Sequence, residues 1–91
     1  MRYAYKSSFL DATRHLNSAQ ASKLLKAIEK FQQANEGHHR PQGLGITHLR
    51  EDYFEFRVDI HMRIIYRRSG DLIEYVLYGS RDQVKRFVKR L

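Results

Sequence analysis

The sequence predicts an α+β domain with the order β-α-α-β-β-β-β-α: a mostly antiparallel sheet, a two-helix hairpin on one face, and a C-terminal helix. Three observations predict it. Residues 53–79 read as three consecutive strands with polar and apolar positions alternating. Residues 7–36 carry apolar side chains at helical spacing, broken once at Asn17-Ser18. The tail from Ser80 is helical again, with Val84, Phe87, Val88 and Leu91 on one stripe.

Arg2 to Lys6 alternates, with Tyr3 and Tyr5 on one side, and is the first strand. Ser7 or Ser8 is suited to cap a helix carrying Phe9, Leu10, Thr13 and Leu16. Asn17 and Gln20 have the spacing of a capping box. The helix behind them places Ala21, Leu24, Leu25, Ile28 and Phe31 on one stripe, leaves Lys23, Lys26, Glu29 and Lys30 outside, and stops at Gly37. Pro41, Gly43 and Gly45 mark 38–45 as a loop. A short strand follows over Ile46–Leu49, and Arg50-Glu51-Asp52 connects it to the three-strand segment. Ser80 with Gln83 forms a second capping box, and Asp82 favours the N-terminus of the last helix.

Register follows from the turns. A two-residue turn at Gly70-Asp71 sets Tyr66 opposite Tyr75, Arg67 opposite Glu74, Ile64 opposite Leu77 and Arg63 opposite Tyr78. A three-residue loop at Ile60-His61-Met62 sets Asp59 opposite Arg63, Phe56 opposite Tyr66 and Glu55 opposite Arg67. One sheet face then holds Phe54, Phe56, Val58, Ile64, Tyr66, Ile73, Tyr75 and Leu77 and asks for a helical cover. The other holds Glu55, Arg57, Asp59, Arg63, Arg67, Glu74 and Tyr78, with Ile65 and Val76 among them: a charged face centred on arginines.

A chain of 91 residues has room for one core, so 1–91 is read as a single domain. Cysteine is absent, which excludes disulfide and thiolate chemistry. No apolar run approaches the ~20 residues that span a membrane, and the N-terminal MRYAYKSSF lacks the apolar core of a secretory signal. The expectation is a cytoplasmic protein with no membrane association. The formal charge of +7 and a pI of about 10.0 favour a polyanionic partner such as RNA, DNA or an acidic protein.

The five histidines are scattered without metal-binding spacing, and the adjacent His38-His39 pair reads as a chance pairing in a loop, so no metal site and no cofactor are expected. No nucleophile elbow, P-loop or dinucleotide fingerprint occurs, and Gly43-Leu44-Gly45 is read as backbone geometry before a strand. The arginines are the better candidates. Arg57, Arg63 and Arg81 are expected to gather at the sheet rim, with Lys85 one helical turn beyond Arg81. Guanidinium groups bind phosphate bidentately and stay charged, so such a cluster suits a scissile phosphate. Tyr53 and Tyr78 offer base stacking or a hydroxyl, and Arg50 a further phosphate contact. Against this stands ordinary cross-strand ion pairing, which the neighbouring Glu55, Asp59 and Glu74 favour for Arg67 in particular.

The runs Leu49-Arg50-Glu51-Asp52-Tyr53-Phe54-Glu55-Phe56-Arg57-Val58, Arg63-Ile64-Ile65-Tyr66-Arg67 and Val76-Leu77-Tyr78-Gly79-Ser80-Arg81-Asp82 resemble the RelE/ParE superfamily of bacterial toxins. The segment Arg40-Pro41-Gln42-Gly43-Leu44-Gly45 is similar to a RelE-like branch. The resemblance covers nearly the whole chain. It implies a microbial-RNase-like fold and the toxin of a type II toxin–antitoxin pair, with an acidic antitoxin encoded nearby. RelE-like members cut mRNA, usually on the ribosome, by attack of a 2′-hydroxyl on the adjacent phosphate without a metal. ParE-like members instead inhibit DNA gyrase, and a non-catalytic binding module is the third alternative. Arg63 matches the arginine before the hydrophobic-hydrophobic-Tyr run, and Arg81 matches a second catalytic arginine. The lysines some members carry on the preceding strand correspond to Tyr53 and Glu55, and Lys85 or Phe87 stands where several nucleases have a C-terminal tyrosine or histidine. Glu55 and His61 are both left as candidate general bases.

Overall fold

The computed structural model describes residues 1–37 and 44–91. The elements run β1 (Arg2–Tyr5), α1 (Ser7–Ala12), α2 (Ser18–Asn35), β2 (Thr47–Arg50), β3 (Tyr53–Arg57), β4 (Met62–Ser69), β5 (Leu72–Ser80) and α3 (Arg81–Lys89). This is the expected α+β order. His38, His39 and the segment from Arg40 to Gly43 lie outside the described residues. Among the described residues no helix is long and apolar enough to cross a membrane.

The sheet order is β1-β5-β4-β3-β2. β1 joins the edge parallel to β5, and the other pairs are antiparallel. The α1–α2 pair covers one face. Phe9, Leu24, Ala27, Ile28 and Phe31 meet Phe56, Ile64, Tyr66, Ile73, Tyr75 and Tyr78 there. The Phe31 ring is fully buried and stacks on Phe56 at 4.3 Å between centroids. Burying a side chain of this size contributes about 2–3 kcal/mol, so this face carries most of the stability. Tyr75 lies in the same cluster; burial pushes its phenol well above the ordinary value, while Gln32 Nε2 donates to the phenolic oxygen at 3.0 Å.

Local signals act as their chemistry dictates. Asn17 and Gln20 form a reciprocal capping box at α2, and Ser80 and Gln83 form another at α3. Gly37, at φ +81°, follows the α2 C-cap in the left-handed conformation that ends helices. Three local expectations need correction. Lys6, not a serine, precedes α1, and no side chain caps it. That helix ends at Ala12 rather than near Leu16, its last backbone groups closing in turns at Thr13 and Arg14. Leu25 is exposed; Ala27 takes its place on the buried stripe of α2.

Register departs from expectation in two places. The β3–β4 loop is Asp59-Ile60-His61, because the Val58 N–H donates to the Met62 carbonyl at 2.9 Å. One Asp59 carboxylate oxygen accepts the N–H groups of His61 and Met62, each at 2.8 Å, and so closes the turn. Phe54 therefore faces Tyr66 and Arg57 faces Arg63. The offset of two residues preserves side-chain parity, so both faces survive while the partners change. The β4–β5 ladder does slip by one. Ile65 pairs with Leu77 but Tyr66 pairs with Tyr75, leaving Val76 as the extra residue of a bulge. Its carbonyl accepts the Ser8 hydroxyl at 2.5 Å. Beyond the bulge, Leu77 and Tyr78 exchange faces: Tyr78 enters the hairpin-side core and Leu77 the other side.

That other side is not an open charged face. α3 lies over it, packing Val84, Phe87 and Val88 against Ile65, Val76, Leu77, Leu49 and Tyr53. The expected Glu55–Arg67–Glu74 row is also rearranged. Arg67 Nε donates to Asp52 at 2.7 Å and its Nη1 lies 3.7 Å from Glu74, while Glu55 turns to Arg63.

Candidate functional site

α3 covers only part of its face. Where the cover ends, a groove of about 530 Å³ opens between the helix and the sheet. Leu49, Val84 and Val88 supply its apolar wall, and Glu55, Arg63, Arg81, Lys85 and Lys89 its charge. Each is placed by its element. Glu55 is the third residue of β3 and Arg63 the second of β4, on the face opposite the hairpin. Arg81, Lys85 and Lys89 stand at intervals of four along α3, hence on one flank. Arg63 pairs across the ladder with Gly79, so no side chain opposes it from β5.

Gly79 has a second reason to be glycine. A Cβ there would stand 2.8 Å from the Gln83 Oε1 that accepts the Ser80 N–H, so the close approach protects the α3 cap.

Arg63 Nη1 donates to Glu55 Oε1 at 3.0 Å, with side-chain exposures of 14% and 10%. The second oxygen, Oε2, is buried and has no hydrogen-bond partner among the described residues. A buried carboxylate oxygen without a donor costs on the order of 1–3 kcal/mol, more for a charge, so its retention is unfavourable to the fold alone. Arg81 is in a similar position. A cation in the first turn faces the positive end of the helix dipole, and only Asp82 offsets it. The groove thus gathers three cationic side chains, a helix N-terminus and one incompletely satisfied carboxylate around Arg63. Such a set can hold an anion and take up a proton from a group bound beside it.

The other sequence candidates are distributed around this centre. Arg57 does not join Arg63 and Arg81. Its guanidinium lies over Gly45, which has φ +57° and whose Cβ position is 3.7 Å from Nη2. It lines a second pocket with Lys23, Lys26 and Lys30. His61 is exposed at the β3–β4 turn and shares a shallow recess with Ser80, Arg81 and Asp82, outside the groove. Tyr53 is half-buried under α3, edge-on to Phe87 at 5.4 Å. Tyr78 is 6% exposed in the hairpin-side core, so the surface position expected for it does not exist. Burial, with the Asp59 carboxylate, raises the Tyr78 phenol above its ordinary value. Asp59 itself is pushed up by burial, but the two turn N–H groups and Lys23 outweigh this and hold its carboxyl below the usual range. Arg50 is exposed on β2, whose ladder shifts register between His48 and Arg50, and it does not line the groove. The sequence reading missed Lys89 as a groove wall, although its spacing from Lys85 was the available signal.

No family model matches the chain, and no curated protein matches it by sequence. Solved structures do match. The toxin fold of the RelB–RelE antitoxin–toxin complex from Methanococcus jannaschii aligns with a TM-score of 0.69 at 17% identity, over 92% of this chain and 96% of that one. The DinJ–YafQ complex of E. coli gives 0.64 at 16% identity over 92% and 98%. The YoeB/ParE toxin from Agrobacterium tumefaciens gives 0.66 at 16% identity over 88% and 98%. The chain has the fold of the RelE-like toxins of toxin–antitoxin systems.

Proposed function

We propose that this protein is the toxin of a toxin–antitoxin pair and that its groove cleaves mRNA without a metal. The observation that carries the reading is the Glu55–Arg63 pair, in one groove with Arg81 and Lys85 and with one carboxylate oxygen unpartnered among the described residues. In this reading Arg63 and Arg81 hold the non-bridging oxygens of the scissile phosphate and stabilise the charge that builds up in the transition state. The Glu55 carboxylate, which lines the groove, takes the proton of the neighbouring 2′-hydroxyl. The 2′-oxygen forms its bond to phosphorus, the bond from phosphorus to the 5′-oxygen breaks, and the Lys85 ammonium protonates the leaving oxygen. Glu55 is preferred to His61 as the base because Glu55 lines the groove and His61 does not. The partners that fit are an acidic antitoxin, in line with the +7 charge and with fold neighbours solved alongside antitoxins, and mRNA, free or on the ribosome.

The test is induced expression in a bacterial host with mapping of cellular RNA ends. Wild type should arrest growth and create new 5′ ends. Arg63→Ala and Arg81→Ala should each lower cleavage by at least about 100-fold, and Glu55→Gln by about 100-fold or more, with circular dichroism showing a retained fold. If all three variants cut RNA like wild type, the site is elsewhere. A block of gyrase supercoiling with no new RNA ends would replace this reading with the ParE-like one.

A further inference from the structure

We propose that the lysine row of α2, with Arg57, is a second anion subsite that holds backbone phosphates of the RNA strand threaded through the groove. Lys23, Lys26 and Lys30 line one pocket with Arg57 over a floor of Ala27, Leu44 and Val58, and among the described residues no carboxylate lines it. Lys23 lies 3.8 Å from Asp59, whose other oxygen is already used to close the β3–β4 turn. Lys26 and Lys30 have no ion-pair partner among the described residues.

The row is linear. At about 1.5 Å rise per residue, Lys23 and Lys30 stand about 10 Å apart along the helix. That is too long for one phosphate and suited to successive phosphates of a single strand. Four unneutralised or barely neutralised cations side by side repel one another, and a bound polyanion removes the repulsion. Position favours RNA over an acidic protein. Arg57 is the cross-strand partner of Arg63, so this pocket, beside α2, and the groove, on the opposite face, lie at the same end of the β3–β4 ladder. A strand held by Arg81 and Arg63 passes round that end of the sheet, beside Arg57, to reach the lysines.

The identity of the strand rests on the RNA-cleaving reading of the groove, so the test separates the two. Binding of a fluorescent single-stranded RNA of about twelve nucleotides, made uncleavable by 2′-O-methylation, is measured by anisotropy over a range of salt. For Lys26→Ala/Lys30→Ala the slope of log K against log salt should fall by about 1.4, about 0.7 per lost phosphate contact on a single strand. Affinity at low salt should fall about tenfold or more. An RNA of about two nucleotides, too short to span from the groove to the lysines, should bind both proteins equally. An unchanged slope in the double variant overturns the subsite, even if the protein cuts RNA. A protein that shows the slope change yet never cuts RNA keeps the subsite and refutes the nuclease. Loss of binding to an acidic protein, with RNA binding intact, also overturns the proposal.

Discussion

Glu55 and Arg63 form one contact that meets a structural demand and, in the proposed reading, a chemical one. The pair is nearly buried, so each charge depends on the other for the solvation it has lost. Removing one partner strands the other. Glu55→Leu or Arg63→Met alone should therefore cost roughly 2 kcal/mol, less than the 3–5 kcal/mol of a fully buried pair because Arg63 keeps some contact with water. The double variant should recover most of that stability, since an apolar pair suits the adjoining Ile65–Val84 cluster. Urea melts of the four proteins in the cycle measure the coupling. In the proposed reading RNA cleavage should stay absent in the double variant, which separates the structural role from the proposed chemical one. A double variant no more stable than the worse single variant would show that the pair is not what those charges depend on.

The element that positions the site is α3, and its first turn is set by a three-residue arrangement. Ser80 Oγ accepts the Gln83 N–H, Gln83 Oε1 accepts the Ser80 N–H, and Gly79 leaves room for that amide. Gly79→Ala should push Gln83 aside and cost about 1 kcal/mol, the typical value of a lost cap. Gly79→Ala added to Gln83→Ala should cost little more than Gln83→Ala alone, because the clash then has no partner. Thermal melts of the two single variants and the double variant check this. Full additivity would mean that Gly79 is required for its own backbone rather than for the cap. Both capping boxes were legible in the sequence, because capping is chemistry between residues three apart. The Val76 bulge was not. Nothing in Glu74-Tyr75-Val76-Leu77 marks it, and it is held by Ser8, 68 residues away in sequence.

The whole molecule is a sheet with unequal cores on its two sides. Among the described residues, twelve buried side chains form one cluster on the hairpin side and three form another beneath α3. Cooperative openings follow buried area, so α3 should open at lower free energy than the central strands. Native-state hydrogen exchange should show the amides of 84–89 exchanging well before those of Ile64, Ile65, Ile73 and Tyr75. An RNA bound across the groove should slow the α3 amides most. Equal protection of α3 and β4 would show a single cooperative unit instead.

From the sequence alone came the elements, the two-fold and helical periodicities, the caps and stops, and the resemblance that the fold comparison then met. These depend on residues within a turn or two of each other, where backbone geometry and side-chain chemistry leave few alternatives. Only the tertiary structure decided which charges meet. An offset of two residues at Asp59-Ile60-His61 left every face intact but set Glu55 opposite Ile65, where its carboxylate meets Arg63 and not Arg67. A slip of one at Val76 sent Tyr78 into the core. The packing of Val84 on Ile65 laid α3 over the arginine face and made a groove of it. The direction taken by one exposed guanidinium put Arg57 with the α2 lysines and not with Arg81. Side-chain parity can be read along a strand, but register is set by distant partners, and the site depends on register.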